Sequence, residues 1–154
     1  MKKGPTQQLL TEKTTVALLD AHFAEFLSRL DGSGDPALPL AAALASHCTR
    51  MGHVCVDLKE IADDLVVEGL LTGGVHTCPA AGDWPGRLKV TSVVGTGDSY
   101  KPLVLDDQSR VYLYRYWEYQ DRLAKWIRQK ARETSEIDDL ADSKATSLHT
   151  ALNQ

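Results

Sequence analysis

The sequence lacks any run approaching the roughly 20 apolar residues that a membrane-spanning helix needs. It also lacks a continuous apolar segment after Met1-Lys2-Lys3-Gly4-Pro5, so no secretory leader is expected and the expected location is cytoplasmic. The three cysteines are then expected to stay reduced. Positive charge is not in excess: 17 lysines and arginines face 21 acidic residues, a net charge of -4. The whole chain therefore has no general attraction to a polyanion. No glycine is followed directly by lysine. A phosphate-binding P-loop is thus missing, and ATP hydrolysis is not expected. Gly95-Thr96-Gly97 lacks the third glycine and the following helix of a dinucleotide site.

What is present fits an ordinary globular chain. Hydrophobic residues make up 43% and charged residues 25% of 154 positions, which argues against disorder and favours one domain, or one domain plus a tail. Charge is unevenly spread: residues 1–50 are neutral, 51–98 carry -4, 99–134 carry +3 and 135–154 carry -3. The basic excess is local, between Lys101 and Arg132.

Val16, Leu19, Phe23, Phe26 and Leu30 recur at three- or four-residue spacing, which predicts an amphipathic helix from about Glu12 to Leu30. Asp31 to Pro36 collects turn formers. From Pro39 an alanine-rich run aligns Leu40, Leu44, Cys48 and Met51 on one face of a second helix, with Gly52 as its natural stop. After a short extended pair at Val54 and Val56, Asp57 and Glu60 resemble a capping box and predict a third helix carrying Leu58, Ile61, Ala62 and Leu65, ended by Gly69 or Gly73-Gly74. Leu71 to Gly86 reads as an irregular connection, and Trp84 to Ser92 as a short helix. Leu103-Val104-Leu105 and Val111-Tyr112-Leu113-Tyr114 read as a hairpin around a polar turn. Trp117, Leu123, Ile127 and Ala131 mark a fourth helix, basic over much of its surface. The predicted class is mainly α with a small β-hairpin, a helical domain with a winged-helix-like alternative. The predicted domain is 1–134, with 135–154 a tail or the start of a linker.

His47, Cys48, His53, Cys55, His76 and Cys78 are all able to bind zinc, but the pairs His53-x-Cys55 and His76-x-Cys78 are spaced too closely for the usual structural zinc site. Cys48 and Cys55 are expected to act as small buried hydrophobes, and no metal or cofactor residue is assigned. A cysteine–histidine nucleophile lacks an oxyanion loop and a third partner. The doublets Asp63-Asp64 and Asp106-Asp107 read as solvated, since adjacent carboxylates on a helix point apart. Arg115, Tyr116, Tyr119, Arg122 and Arg128 are the candidate surface for a protein partner or for DNA, because arginine and aromatics serve both. No catalytic residue is assigned.

Two stretches together resemble a known family. Leu40-Ala41-Ala42-Ala43-Leu44-Ala45-Ser46 with Gly52-His53-Val54-Cys55-Val56-Asp57-Leu58, and later Ser92-Val93-Val94-Gly95, Pro102-Leu103-Val104-Leu105-Asp106 and Val111 to Tyr119, are similar to the N-terminal domain of RecD, the α subunit of exodeoxyribonuclease V. Val56 stands where leucine is common, and Gln120 where glutamate is expected. The resemblance implies a non-catalytic assembly domain of a 5′-to-3′ DNA helicase subunit in double-strand break repair and recombination, with ATP and magnesium bound only in a motor domain beyond this sequence. It implies docking onto a RecC-like subunit, with a RecB-like subunit in the same complex and DNA reached through that complex. The alternative is a small DNA-binding module using the basic aromatic segment 115–132.

Overall fold

A computed structural model describes residues 13–61 and 65–152 of the chain. In chain order its elements are β1 (Lys13–Thr15), α1 (Leu18–Asp31), α2 (Ala37–Arg50), β2 (Val56–Asp57), β3 (Val66–Glu68), β4 (Val75–Thr77), α3 (Trp84–Lys89), β5 (Val94–Gly95), β6 (Leu103–Leu105), β7 (Arg110–Leu113) and α4 (Tyr114–Leu152). The architecture is thus mixed α/β, with four helices and seven strands among the described residues, rather than mainly α with one hairpin. It lends the winged-helix alternative no support.

Alanine content decides the centre of the fold. From Ala37 to Cys48 nearly every side chain of α2 is buried, because methyl-sized residues let neighbours approach on all sides. α1 packs against one side with Ala21, Ala24 and Leu27, all inaccessible. The fully buried Trp84 of α3 closes the start of α2, donating its indole N–H to the Ala37 carbonyl at 3.0 Å. Arg87 adds an ion pair to Asp35 at the same end. The C-terminal end of α2 is a Schellman motif: His53 N–H bonds the Cys48 carbonyl at 2.9 Å, Gly52 N–H bonds that of Thr49 at 3.0 Å, and Gly52 sits at φ 91°.

Two short sheets flank this helical centre. In the first, β1 runs parallel to β3 (Thr14 opposite Val67), and β3 pairs antiparallel with β4 (Val67 opposite His76). In the second, the order is β2-β7-β6-β5, and the expected hairpin forms its middle, with Val104 opposite Tyr112. β5 joins it in parallel and β2 antiparallel.

Four sequence expectations are corrected. No third helix starts at Asp57. Its carboxylate accepts the Lys59 N–H at 2.9 Å and its carbonyl the Glu60 N–H at 3.2 Å, forming a single turn, while Val56 pairs with Val111 and Val66–Glu68 pairs with β1. Long-range strand pairing overrides a local capping signal. Gly69 ends no helix; at φ 90° a Cβ there would meet the Val16 carbonyl at 2.7 Å, so glycine permits close approach of two chains. The connection from Leu71 to Gly86 contains β4. Finally, β1 occupies the expected start of α1.

By contacts the chain divides into a body through Glu118 and a second unit from Tyr119. Helix α4 continues through the segment read as tail or linker.

Candidate functional site

The residues with metal-binding chemistry are dispersed. His47 stands beside Asp20 and Arg50, its Nδ1 3.8 Å from the Asp20 carboxylate. Burial lowers its pKa, against the pull of Asp20 in the other direction. Cys48 is in the core, and burial pushes its thiol up to about 12. Cys55 is half-buried near Tyr112 and Arg110. His76 Nε2 contacts the Thr72 hydroxyl at 3.0 Å and the Gly73 carbonyl at 3.1 Å. Cys78 is buried elsewhere, its thiol likewise raised to about 12 by desolvation. Among the described residues no three histidine, cysteine or acidic side chains converge for a metal ion.

Asp106 and Asp107 have separate roles. Asp106 organises the β6–β7 turn: it accepts the N–H groups of Gln108 and Arg110 at 2.9 Å, the Arg110 Nε–H at 2.8 Å and the Tyr112 hydroxyl at 3.2 Å. Asp107 is exposed. Asp63 and Asp64 lie outside the described residues. The glycines of Gly95-Thr96-Gly97 allow close packing. At Gly97, φ 99°, a Cβ would lie 2.2 Å from the Trp117 ring, and at Gly95 2.8 Å from the Ser99 hydroxyl.

The strongest buried polar arrangement was not anticipated from sequence. Asp20 is fully buried, yet it accepts the Ser46 hydroxyl at 2.7 Å, Arg50 through two nitrogens at 3.1 and 2.8 Å, and the Ala17 N–H at 3.0 Å. Burial acts to raise its pKa, and these hydrogen bonds more than offset that and hold the carboxyl below its ordinary value. The cluster ties the start of α1 to the end of α2, so its role is structural.

This arrangement sets which way α1 faces. With Asp20, Ala21, Ala24 and Leu27 turned inward, the stripe expected to be the core face is turned out. Leu19 is 66%, Phe26 53% and Leu30 56% exposed. Phe23 is partly buried against the core and Val16 is buried. The periodicity was legible but belongs to a surface, a reading only the position of Asp20 could have suggested.

All five candidate residues Arg115, Tyr116, Tyr119, Arg122 and Arg128 lie on α4, and all are exposed. Arg115 and Tyr116 belong to the body. There Tyr114 stands edge-on to Tyr100, ring centres 4.6 Å apart, and Trp117 covers Gly97. In the second unit, Tyr119, Arg122, Leu123, Lys125, Trp126 and Gln129 line one shallow open depression. Arg128 lines a neighbouring one with Lys125, Gln129, Arg132 and Glu133. Leu123 at 57% and Trp126 at 58% are exposed within the first depression. Ion pairs Asp121–Lys125 at 2.6 Å and Lys130–Glu133 at 2.7 Å brace the helix. Among the described residues Arg122 and Arg128 form none.

Comparison with known proteins gives concordant matches. The model of the family described as RecBCD enzyme subunit RecD, N-terminal domain, matches residues 12–112. Two proteins described as RecBCD enzyme subunit RecD, from the CDC 1551 / Oshkosh and ATCC 25618 / H37Rv strains of Mycobacterium tuberculosis, are each 31% identical over 109 residues. The alignment covers 68% of this chain and 16% of either relative. It therefore spans about a sixth of their length. The exposed stripe of α1 falls within the family match, whereas the candidate residues on α4 fall beyond it.

Proposed function

Because this chain belongs to the family of RecD N-terminal domains, we propose that it is an assembly domain of a RecD-like DNA helicase subunit, holding that subunit on a RecC-like partner in a RecBCD-type enzyme. The observation that carries this reading is the outward apolar stripe of α1, Leu19, Phe26 and Leu30, inside the segment that defines the family. A row of large apolar side chains over three helical turns is costly to leave in water and marks an interaction surface. In this reading the domain is non-catalytic and the chemistry of the enzyme belongs to other parts of it. Under this reading ATP and magnesium act in a motor domain, DNA is reached through the complex in double-strand break repair and recombination, and the setting is the cytoplasm. No helix among the described residues is long and apolar enough to cross a membrane.

The test is calorimetric titration of the full chain with the RecC-like subunit of the same organism. The expected result is saturable 1:1 binding, weakened at least about tenfold when Leu19, Phe26 and Leu30 are all changed to serine, since a few central apolar anchors dominate such interfaces. Failure of the folded wild-type chain to bind overturns the assembly reading.

A further inference from the structure

From Tyr119 to Thr134 every side chain of α4 is exposed or half-buried. Yet Tyr119, Leu123, Trp126 and Ile127 recur at spacings of three and four, which places them on one stripe of the helix. Four apolar residues there, two of them aromatic, are far more than chance exposure of an isolated side chain requires. Arg122 borders the stripe on one side, and Lys125, Arg128 and Arg132 continue the basic row around the helix. Between Tyr119 and Thr134 there are five basic and two acidic residues. The two acidic side chains are engaged by Lys125 and by Lys130. Arg122, with Lys125 in the same depression, thus presents positive charge beside an apolar centre, whereas Arg128 lies on the far side of the helix.

Two occupants suit positive charge with aromatics: nucleic acid, or an acidic protein surface. The centre of the stripe decides between them. Leu123 and Ile127 are aliphatic, offering nothing to phosphates and no flat face for a base, while an apolar ridge flanked by carboxylates covers them and meets Arg122 as well.

We infer that the Tyr119–Ile127 face of α4 is a second docking site, receiving an acidic, apolar-centred surface of the same partner subunit. The inference rests on the assembly reading above and adds to it a surface outside the family match, with a different recognition chemistry. The α1 stripe is apolar and insensitive to salt. The α4 stripe combines apolar anchors with charge pairing, and its contribution falls as salt rises.

The experiment uses the full chain and the purified RecC-like subunit, with binding measured by calorimetry at low and high salt. Leu123→Ala with Trp126→Ala is expected to weaken binding about 100-fold, because central aromatic and aliphatic anchors carry most of an interface's affinity. Arg122→Glu with Lys125→Glu, both in the depression that holds the stripe, is expected to weaken it about tenfold at low salt and less at high salt, since charge pairing is screened. These positions are exposed, and circular dichroism checks that the variants keep their helix. Wild-type binding that both α4 variants leave unchanged overturns this inference while the α1 reading stands. No wild-type binding removes both. A single-stranded oligonucleotide probe is titrated in parallel. If the Trp126 variant loses the oligonucleotide and keeps the partner, the face belongs to nucleic acid and the inference is overturned.

Discussion

Asp20 can be tested most directly through a double-mutant cycle with Arg50. Asp20→Ala removes the acceptor of four hydrogen bonds and leaves the Ser46 hydroxyl, in a position 9% exposed, without its 2.7 Å partner. An unpaired buried donor costs about 1–3 kcal/mol. The Arg50 side chain is 39% exposed and can rehydrate, so the loss stays below the roughly 3–5 kcal/mol of breaking a fully buried pair. Together the two effects give about 2–4 kcal/mol. Arg50→Ala leaves the carboxylate buried with only neutral donors, and its cost is of the same order. The double variant should cost less than the two singles together, with a coupling of about 1–3 kcal/mol. Urea unfolding followed by circular dichroism measures all four proteins. The pH dependence has a definite sign. The folded-state pKa of Asp20 lies below its ordinary 3.8, so its contribution is fully present above that value and is lost as pH falls through the folded-state pKa. The gap between wild type and Asp20→Ala should therefore narrow from pH 7 to pH 3. A coupling within about 0.5 kcal/mol, the scatter of independent sites, or a gap that does not change with pH, would refute the assignment of a structural charge cluster.

Other outcomes follow from the same packing. Ala42→Leu, at a site with no accessible surface, should lower stability by about 1–3 kcal/mol or more through overpacking. Val90→Ser, at 85% exposure, should stay within about 0.5 kcal/mol in the same urea assay. Gly97→Ala should lower the melting temperature and change the near-ultraviolet dichroism of Trp117, because the new methyl would lie 2.2 Å from its ring and φ is 99°; an unchanged spectrum would show that the loop does not need glycine. Cys48 and Cys78, with thiols at about 12, should resist iodoacetamide at pH 8 in the native protein and react fully in urea, as read by mass spectrometry. Rapid native labelling of either would contradict its burial.

The sequence by itself determined the helices whose pattern is local: the alanine run and Gly52 specify α2 and its stop, and Leu103–Leu105 with Val111–Leu113 specify the hairpin. It also carried the family, in motifs spread from Leu40 to Tyr119. It misled at Asp57, where a one-turn capping signal was outweighed by pairing with residues more than fifty positions away. The five candidate residues on α4 were legible as an arginine and aromatic cluster, but their grouping was not: Arg128 falls in a different depression from Tyr119 and Arg122. Periodicity gives the angle between side chains around a helix and says nothing about which side meets the rest of the molecule. For α1 that choice was made by tertiary structure alone. The small faces of Ala21 and Ala24 let it approach the alanines of α2, and Arg50 and Ser46 supplied partners for Asp20, so the larger apolar residues were left outward. Close packing and a satisfied buried charge decided against the stripe that hydrophobicity alone would have buried.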